Sequence, residues 1–414
     1  MTASQNTTTL SLPQLNSSSE FFPLSPVATG EQEKRGTTRI SCAPLPANGL
    51  HFGIDTLHLS LSVAWSKDQE IFRLLDQQKK DLQGTSFDRC IFMGGTESGI
   101  LRLNIHRLGK KYFPYHLSTA DINVFLSSRT SDSSIPNCSI QIGSITSQQS
   151  LKYTYLQLLR WLAYLGGNVQ KEVVTRIDLA CDCLGVPLSA LDIHSQDSIV
   201  TKANHFAAFW ENRKQTGIQI GKSSITCRIY DKIQEMKSNV SEHKETFFRE
   251  LWQYDGPNVT RVEFQLRREA LREMSDEGSF EEIEAILNRI WRYLTEEWLE
   301  LKARPLTDSE RNSGHQHRVP ASEIWRSIRN YNDSRVVKRN RLQRHINVTA
   351  LRQQIRGCMV TLLAASGQMV DDFFGLLGTA TQLITSDLAE YMTDRSAEFE
   401  QKYLTRSALC FVGF

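Results

Sequence analysis

The chain reads as an α+β protein: a largely antiparallel central sheet with flanking helices, followed by a helical C-terminal region. Three observations predict this. Segments that alternate apolar and polar residues recur between about 54 and 267, the period of half-buried strands. Stretches with apolar residues every three or four positions separate and follow them, the period of amphipathic helices. The order runs strands, helix, strands, helix, without the strict strand–helix alternation of a parallel sheet.

Residues 1–45 are rich in Ser, Thr, Asn, Gln and Pro and read as a disordered polar tail, because they carry too little apolar surface to bury. Order is expected from about 46. Gly53 to Val63 alternates cleanly and predicts the first strand, and a polar helical stretch follows to about Leu82. Cys90 to Met93 and Gly99 to His106 predict a strand pair, and Ser139 to Ile145 another strand. Gln148 to Leu165 places Leu151, Tyr155, Leu158 and Leu162 on one helical face, ended by Gly166-Gly167-Asn168. Strands are expected near 173–182, 218–220, 225–230 and 259–267, with a modest helix over 198–210. Phe280 to Leu301 has Trp291, Leu294 and Trp298 at helical spacing. The polar stretch 304–320 reads as a linker, and 321–414 as a helical accessory region.

Composition narrows the function classes. With 48 Lys and Arg against 46 Asp and Glu, the net charge of +2 excludes a polycation, so any nucleic-acid surface must come from local segregation of charge. The eight cysteines include no CxxC pair and no zinc-ligand spacing, which predicts reduced, buried thiols. The opening residues lack a basic segment followed by an apolar one, and no apolar run approaches the roughly 20 residues that span a bilayer. A soluble cytoplasmic protein with no membrane partner is expected. Gly94-Gly95 and Gly221-Lys222-Ser223-Ser224 lack the spacing of a phosphate-binding Walker loop. His315 and His317 flank a glutamine in a polar stretch and read as a solvent-exposed loop.

Three strands carry the chemistry. In 225–231 the alternation puts Ile225, Cys227 and Ile229 on one face, and Thr226, Arg228 and Tyr230 on the other. In 173–182 Arg176, Asp178 and Asp182 share a face, and in 259–267 Arg261, Glu263, Gln265 and Arg267 do. Acids inside otherwise apolar strands are costly unless paired or metal-bound. Asp178 and Glu263 are therefore the principal candidate ligands for a hard cation, Mg²⁺ or Mn²⁺. Asp182 lies too far along a straight strand from Asp178 to share one ion. Asp55 belongs by alternation to the apolar side with Leu57 and Leu59, and ranks below them. Tyr230 is the candidate nucleophile. A free tyrosine loses its proton only at about pH 10, so Arg228, Lys232 or a metal would be needed to favour its phenolate. This set suits metal-assisted phosphoryl transfer to a tyrosine. Arg326, Arg329, Arg335, Lys338, Arg339, Arg341 and Arg344 form an arginine-dominated run that suits phosphate contacts, and Trp325 and Tyr331 are candidates to stack on bases.

The order Ile54-Asp55-Thr56-Leu57, Arg176-Ile177-Asp178-Leu179-Ala180-Cys181-Asp182, Arg228-Ile229-Tyr230-Asp231-Lys232-x-x-Glu235, Arg261-Val262-Glu263-Phe264-Gln265-Leu266-Arg267 resembles the Rep_trans replication initiators of rolling-circle plasmids and some filamentous phages. The resemblance covers roughly 50 to 300. It implies a catalytic nicking domain over 46–303 that cuts one strand of origin DNA through a 5′-phosphotyrosine intermediate and later rejoins it. It further implies Tyr230 as nucleophile, and Asp178, Glu263, Asp55 and Glu235 as metal acids. Arg176, Arg228 and Arg261 would hold phosphates or stabilise developing charge. Origin DNA, both duplex and single-stranded, a host replicative helicase and a homodimer are the implied partners. Two alternatives stand beside this reading: a relaxase of an integrative or conjugative element, and a non-catalytic DNA-binding regulator.

Overall fold

The computed structural model describes residues 49–66, 70–92, 101–193, 196–238, 242–312, 314–329, 348–365, 373–396 and 398. They fall into two compact units, one ending at Asn340 and the other running from Arg341 to Phe414. The first unit is built on eleven strands in one antiparallel sheet. In chain order these are β1 (Leu50–Trp65), β2 (Arg89–Ile91), β3 (Asn104–His106), β4 (Tyr115–Ser118), β5 (Ile122–Leu126), β6 (Cys138–Ile142), β7 (Gly167–Leu184), β9 (Phe206–Glu211), β10 (Lys214–Ile220), β11 (Ile225–Asp231) and β12 (Val259–Arg267). The spatial order is β2-β3-β4-β5-β6-β1-β7-β12-β11-β10-β9. The long strands β1 and β7 run side by side from Leu50 opposite Cys183 to Trp65 opposite Gly167 and form the spine of the sheet. A separate pair joins β8 (Ile199–Thr201) to β13 (Leu299–Leu301).

One face of the sheet is apolar and carries the main core. Leu57, Leu59 and Leu61 of β1, Ile177 and Leu179 of β7, Phe264 of β12 and Ile229 of β11 are all buried in it. Helix α1 (Glu70–Gln83) contributes Phe72 and Leu75. Helix α2 (Ser144–Tyr164) buries Leu151, Tyr155, Leu158 and Leu162, the predicted stripe. Gly166, at φ +80°, ends that helix in a left-handed conformation that suits glycine. The other face is polar, and only part of it is covered. There α3 (Lys232–Ser238) and α4 (Glu242–Trp252) build a satellite core of Leu184, Ile233, Met236, Phe248, Trp252 and Val259.

Three expectations are corrected. The helix expected over 198–210 is β8 and β9: Phe206 to Trp210 presents aromatic residues to both sides of an edge strand, and helical spacing gives way to strand pairing. The helix expected over 280–301 is broken. After α5 (Arg268–Leu271) come α6 (Phe280–Ala285), α7 (Leu287–Arg292), a π-helical turn at Tyr293–Trp298, and then β13, drawn into extended form by pairing with β8. The stretch expected as a linker packs against the first unit instead. It holds α8 (Asp308–Asn312) and the buried Leu306, and leads into α9 (Glu323–Ile328). Two indoles lock this segment down. Trp325 is fully buried and donates Nε1–H to the Thr295 carbonyl at 2.9 Å, and Trp291 donates to the Ile328 carbonyl at 2.9 Å.

In the second unit the described residues form α10 (Val348–Ala365) and α11 (Phe373–Asp394). Among the described residues no helix is long and apolar enough to cross a membrane. Cys138, Cys181, Cys183 and Cys227 are buried free thiols, as expected, whereas Cys90 is half-buried and Cys358 exposed.

Candidate active site

The strand register assembles the site. Directly opposite residues on antiparallel strands share a face. Glu263 lies opposite Arg228, Arg261 opposite both Tyr230 and Asp182, and Gln265 opposite Asp178. The three chemistry strands are thus adjacent, and their polar side chains form one surface. It opens into a cleft of about 450 Å³. Of the nine candidate catalytic and metal residues, Asp55, Arg176, Asp178, Arg228, Tyr230, Lys232, Glu235 and Glu263 line it, and Arg261 does not.

Tyr230 donates its phenolic proton to Glu263 Oε2 at 2.8 Å. Glu263 Oε1 accepts from Arg228 Nη1 at 2.9 Å, and Arg228 Nη2 reaches Gln265 Oε1 at 3.2 Å. Burial first, and the Glu263 carboxylate second, hold the Tyr230 phenol well above the ordinary tyrosine range. The expected help from Arg228 and Lys232 is therefore corrected. Arg228 is taken up by Glu263 and Gln265. Lys232, 1% exposed, is bound to Glu235 at 2.7 Å, with its Nζ 5.8 Å from the Tyr230 ring centre. The phenol is protonated in this state, and a carboxylate stands ready to accept its proton.

Asp178 is buried and held in bidentate fashion by Arg176. Desolvation raises its carboxyl to about 6, and the nearby carboxylates of Glu263 and Asp55 add to the rise against the pull of Arg176. The acids here outweigh their cations. Among the described residues no three metal-ligating side chains converge. The donor set nonetheless fits a small hard cation, since Mg²⁺ commonly takes one or two carboxylates and completes its shell with water and substrate phosphate. Glu235 lies farther along, paired with Lys232 and with Lys244 at 3.9 Å.

Two sequence expectations change here. Asp55, assigned by alternation to the apolar side, lines the cleft. Ile54 pairs with Leu179 and Thr56 with Asp178, so Asp55 is the extra residue of a β-bulge, which reverses its face. Arg261, expected to hold a phosphate, is completely buried. Its guanidinium donates to Asp182 at 2.5 and 2.8 Å and to Asp55 Oδ1 at 2.5 Å, and lies 4.9 Å from the Phe248 ring centre. Asp182 also accepts from the Trp252 indole at 2.8 Å. Arg261 is thus a strut that joins β12, β7 and the bulge of β1. Burial alone would raise the Asp55 carboxyl, but Arg261, Lys232 and Lys244 bring it below the usual carboxylate range.

Of the candidate DNA-binding residues, Arg326 is exposed beside Glu323 at 3.8 Å. Arg329 donates to the Thr295 carbonyl at 3.0 Å and pairs with Glu300 at 3.0 Å, a structural use that corrects its assignment. Trp325 is buried and has no face left for a base. Tyr331, Arg335, Lys338, Arg339, Arg341 and Arg344 lie outside the described residues. Sequence reasoning missed Lys244 and Phe209, which also line the cleft. Lys244 sits on a helix without a motif. Phe209 was hidden by the helical reading of its strand.

No family model matches the chain, and no curated protein does. Among solved structures it is similar to the rolling circle replication initiator protein from Geobacillus stearothermophilus, at 14% identity and a TM-score of 0.39, covering 70% of this chain and 100% of that one.

Proposed function

We propose that the protein initiates rolling-circle DNA replication by nicking and rejoining one DNA strand through a 5′-phosphotyrosine intermediate. The observation that carries this reading is the Tyr230 phenol, in a cleft and hydrogen-bonded to a carboxylate, with Asp178 on the same surface. Tyr230 Oη attacks the phosphorus and forms the ester bond. The bond from phosphorus to the 3′ oxygen breaks, and that oxygen leaves as a hydroxyl after taking a proton from water. The phenolic proton passes to Glu263 Oε2, already its hydrogen-bond acceptor. Arg176 and Arg228, with side chains 30% and 35% exposed, face the cleft together with Lys244 and would turn free N–H groups towards phosphate oxygens. Asp178 and Glu263 Oε1, with Asp55 near them and Glu235 farther along, are the groups that would hold Mg²⁺ or Mn²⁺. Such an ion supplies Lewis-acid polarisation of the scissile phosphate. The ester conserves the bond energy, so rejoining needs no nucleotide cofactor. Origin DNA is the substrate on this reading. A replicative helicase and a second copy of the chain are its further proposed partners.

The test is a covalent-adduct assay with single-stranded DNA from the cognate origin, in Mg²⁺ or Mn²⁺. Wild type is expected to form an adduct that maps to the Tyr230 peptide. Tyr230→Phe is expected to bind the same strand and form none. An undiminished adduct from the variant, or an adduct mapping elsewhere, refutes the assignment. Binding by wild type without any adduct favours the non-catalytic regulator.

A further inference from the structure

We propose that Phe209 stacks on a nucleobase beside the scissile phosphate, in a slot closed on its far side by Tyr230 and floored by Gly217; this rests on the nicking reading above. Phe209 lies on the edge strand β9, 45% exposed, in the wall of the cleft. In the strand register Phe209 is opposite Gly217, and Gly217 is opposite Tyr230. The three form one row across the sheet on the face that carries the site. Neighbouring strands lie about 4.8 Å apart, so the outer two backbones stand roughly 9 to 10 Å from one another. The middle position has no side chain. It cannot easily have one, because a Cβ at Gly217 would lie 2.7 Å from Tyr230 Cβ and 2.8 Å from the Ile229 carbonyl oxygen. A backbone separation of that width leaves room for one flat ring between two side chains standing on the outer strands, at about 3.5 to 4.0 Å from each.

A singly exposed apolar side chain is ordinary on a protein surface. The row distinguishes this one. Trp210, next along β9 and 63% exposed, projects from the opposite face of the strand and has no place in the slot. At the mouth, Glu211 is held back by Gln234 Nε2 at 2.6 Å. With stacking rather than hydrogen bonding as its chemistry, the slot takes any base. A base held between Phe209 and Tyr230 also fixes the strand next to the attacking oxygen.

The test compares wild type, Phe209→Ala, Phe209→Trp and Trp210→Ala. The probes are a fluorescent single strand of deoxyadenosine and an abasic phosphodiester strand of equal length. Phe209→Ala is expected to weaken binding of the adenine strand about 5- to 150-fold, the range set by loss of one stacked base. Phe209→Trp and Trp210→Ala are expected to retain wild-type affinity. On the abasic strand wild type and Phe209→Ala should be equal. Equal affinity of these two for the adenine strand, including failure of both to bind, overturns the slot. The Tyr230 adduct is scored separately. An intact adduct with equal affinities leaves nicking in place without the slot. Lost affinity at Phe209 with no adduct from wild type leaves a strand-binding cleft without nicking.

Discussion

Asp178→Asn separates what the site does from what it costs. The Asp178 carboxyl, ordinarily near 3.8, is raised to about 6 by burial and by the carboxylates of Glu263 and Asp55. At about 1.4 kcal/mol per pH unit, the ionised form burdens the folded state by about 3 kcal/mol. The folded value lies above the unfolded one, so the sign is fixed. Well below the unfolded value of 3.8 the group is protonated in both states and the burden is absent. It grows as the pH rises towards 6 and is constant above that. Asparagine cannot ionise and escapes it. Urea denaturation in the presence of a chelator should therefore show Asp178→Asn gaining about 2.5 kcal/mol relative to wild type between pH 4 and pH 7.5. Added Mg²⁺ should narrow that gap by favouring the ionised carboxyl of wild type, and the variant should form no adduct. An identical stability difference at both pH values would show that Asp178 ionises freely, and the electrostatic account of the site would fail.

Arg261→Met should destabilise the fold by about 3 to 5 kcal/mol, because it strands the buried Asp182 carboxylate. Adding Asp182→Leu should recover part of the loss, and purely additive effects in a double-mutant cycle would argue against the strut. Asp55 stabilises the fold above its unfolded value near 3.8 and loses this as the pH falls through its lower folded value; Arg261→Met should flatten that part of the acid limb. Trp325→Ala should cost about 3 to 5 kcal/mol in chemical denaturation, whereas a solvent-facing base-stacking residue would cost little. Truncation after Asn340 should leave a cooperative melt, while truncation after Ala303 should not. Gly217→Ala should destabilise by about 1 to 3 kcal/mol and slow adduct formation; an unchanged rate would mean that Tyr230 tolerates displacement.

The polar and apolar faces of β7, β11 and β12 were legible in the sequence, because alternation largely survives there over six or more residues. That put Tyr230, Asp178 and Glu263 each on the polar face of its own strand before any pairing was known. Register was not legible. The spacing of Arg261 relative to Arg176 and Arg228 is the same in kind, yet its position opposite Asp182 buries it while they face the cleft. Asp55 was misplaced because a bulge breaks the period of two without leaving a glycine or proline to mark it. The region 198–210 misled because short aromatic runs fit either period, and only the pairing of β9 with β10 decides. The stretch 304–320 looked like a linker because its polar surface outnumbers its few buried apolar residues, Leu306 and Val319.

The irregularity at position 55 governs how such a sheet can vary. Removing one residue near Ile54 would restore unbroken alternation and turn the carboxylate away from the cleft, leaving Arg261 without one of its two acids. Insertions and deletions in the first strand therefore switch the face on which this carboxylate stands, whereas a point substitution leaves the register as it is.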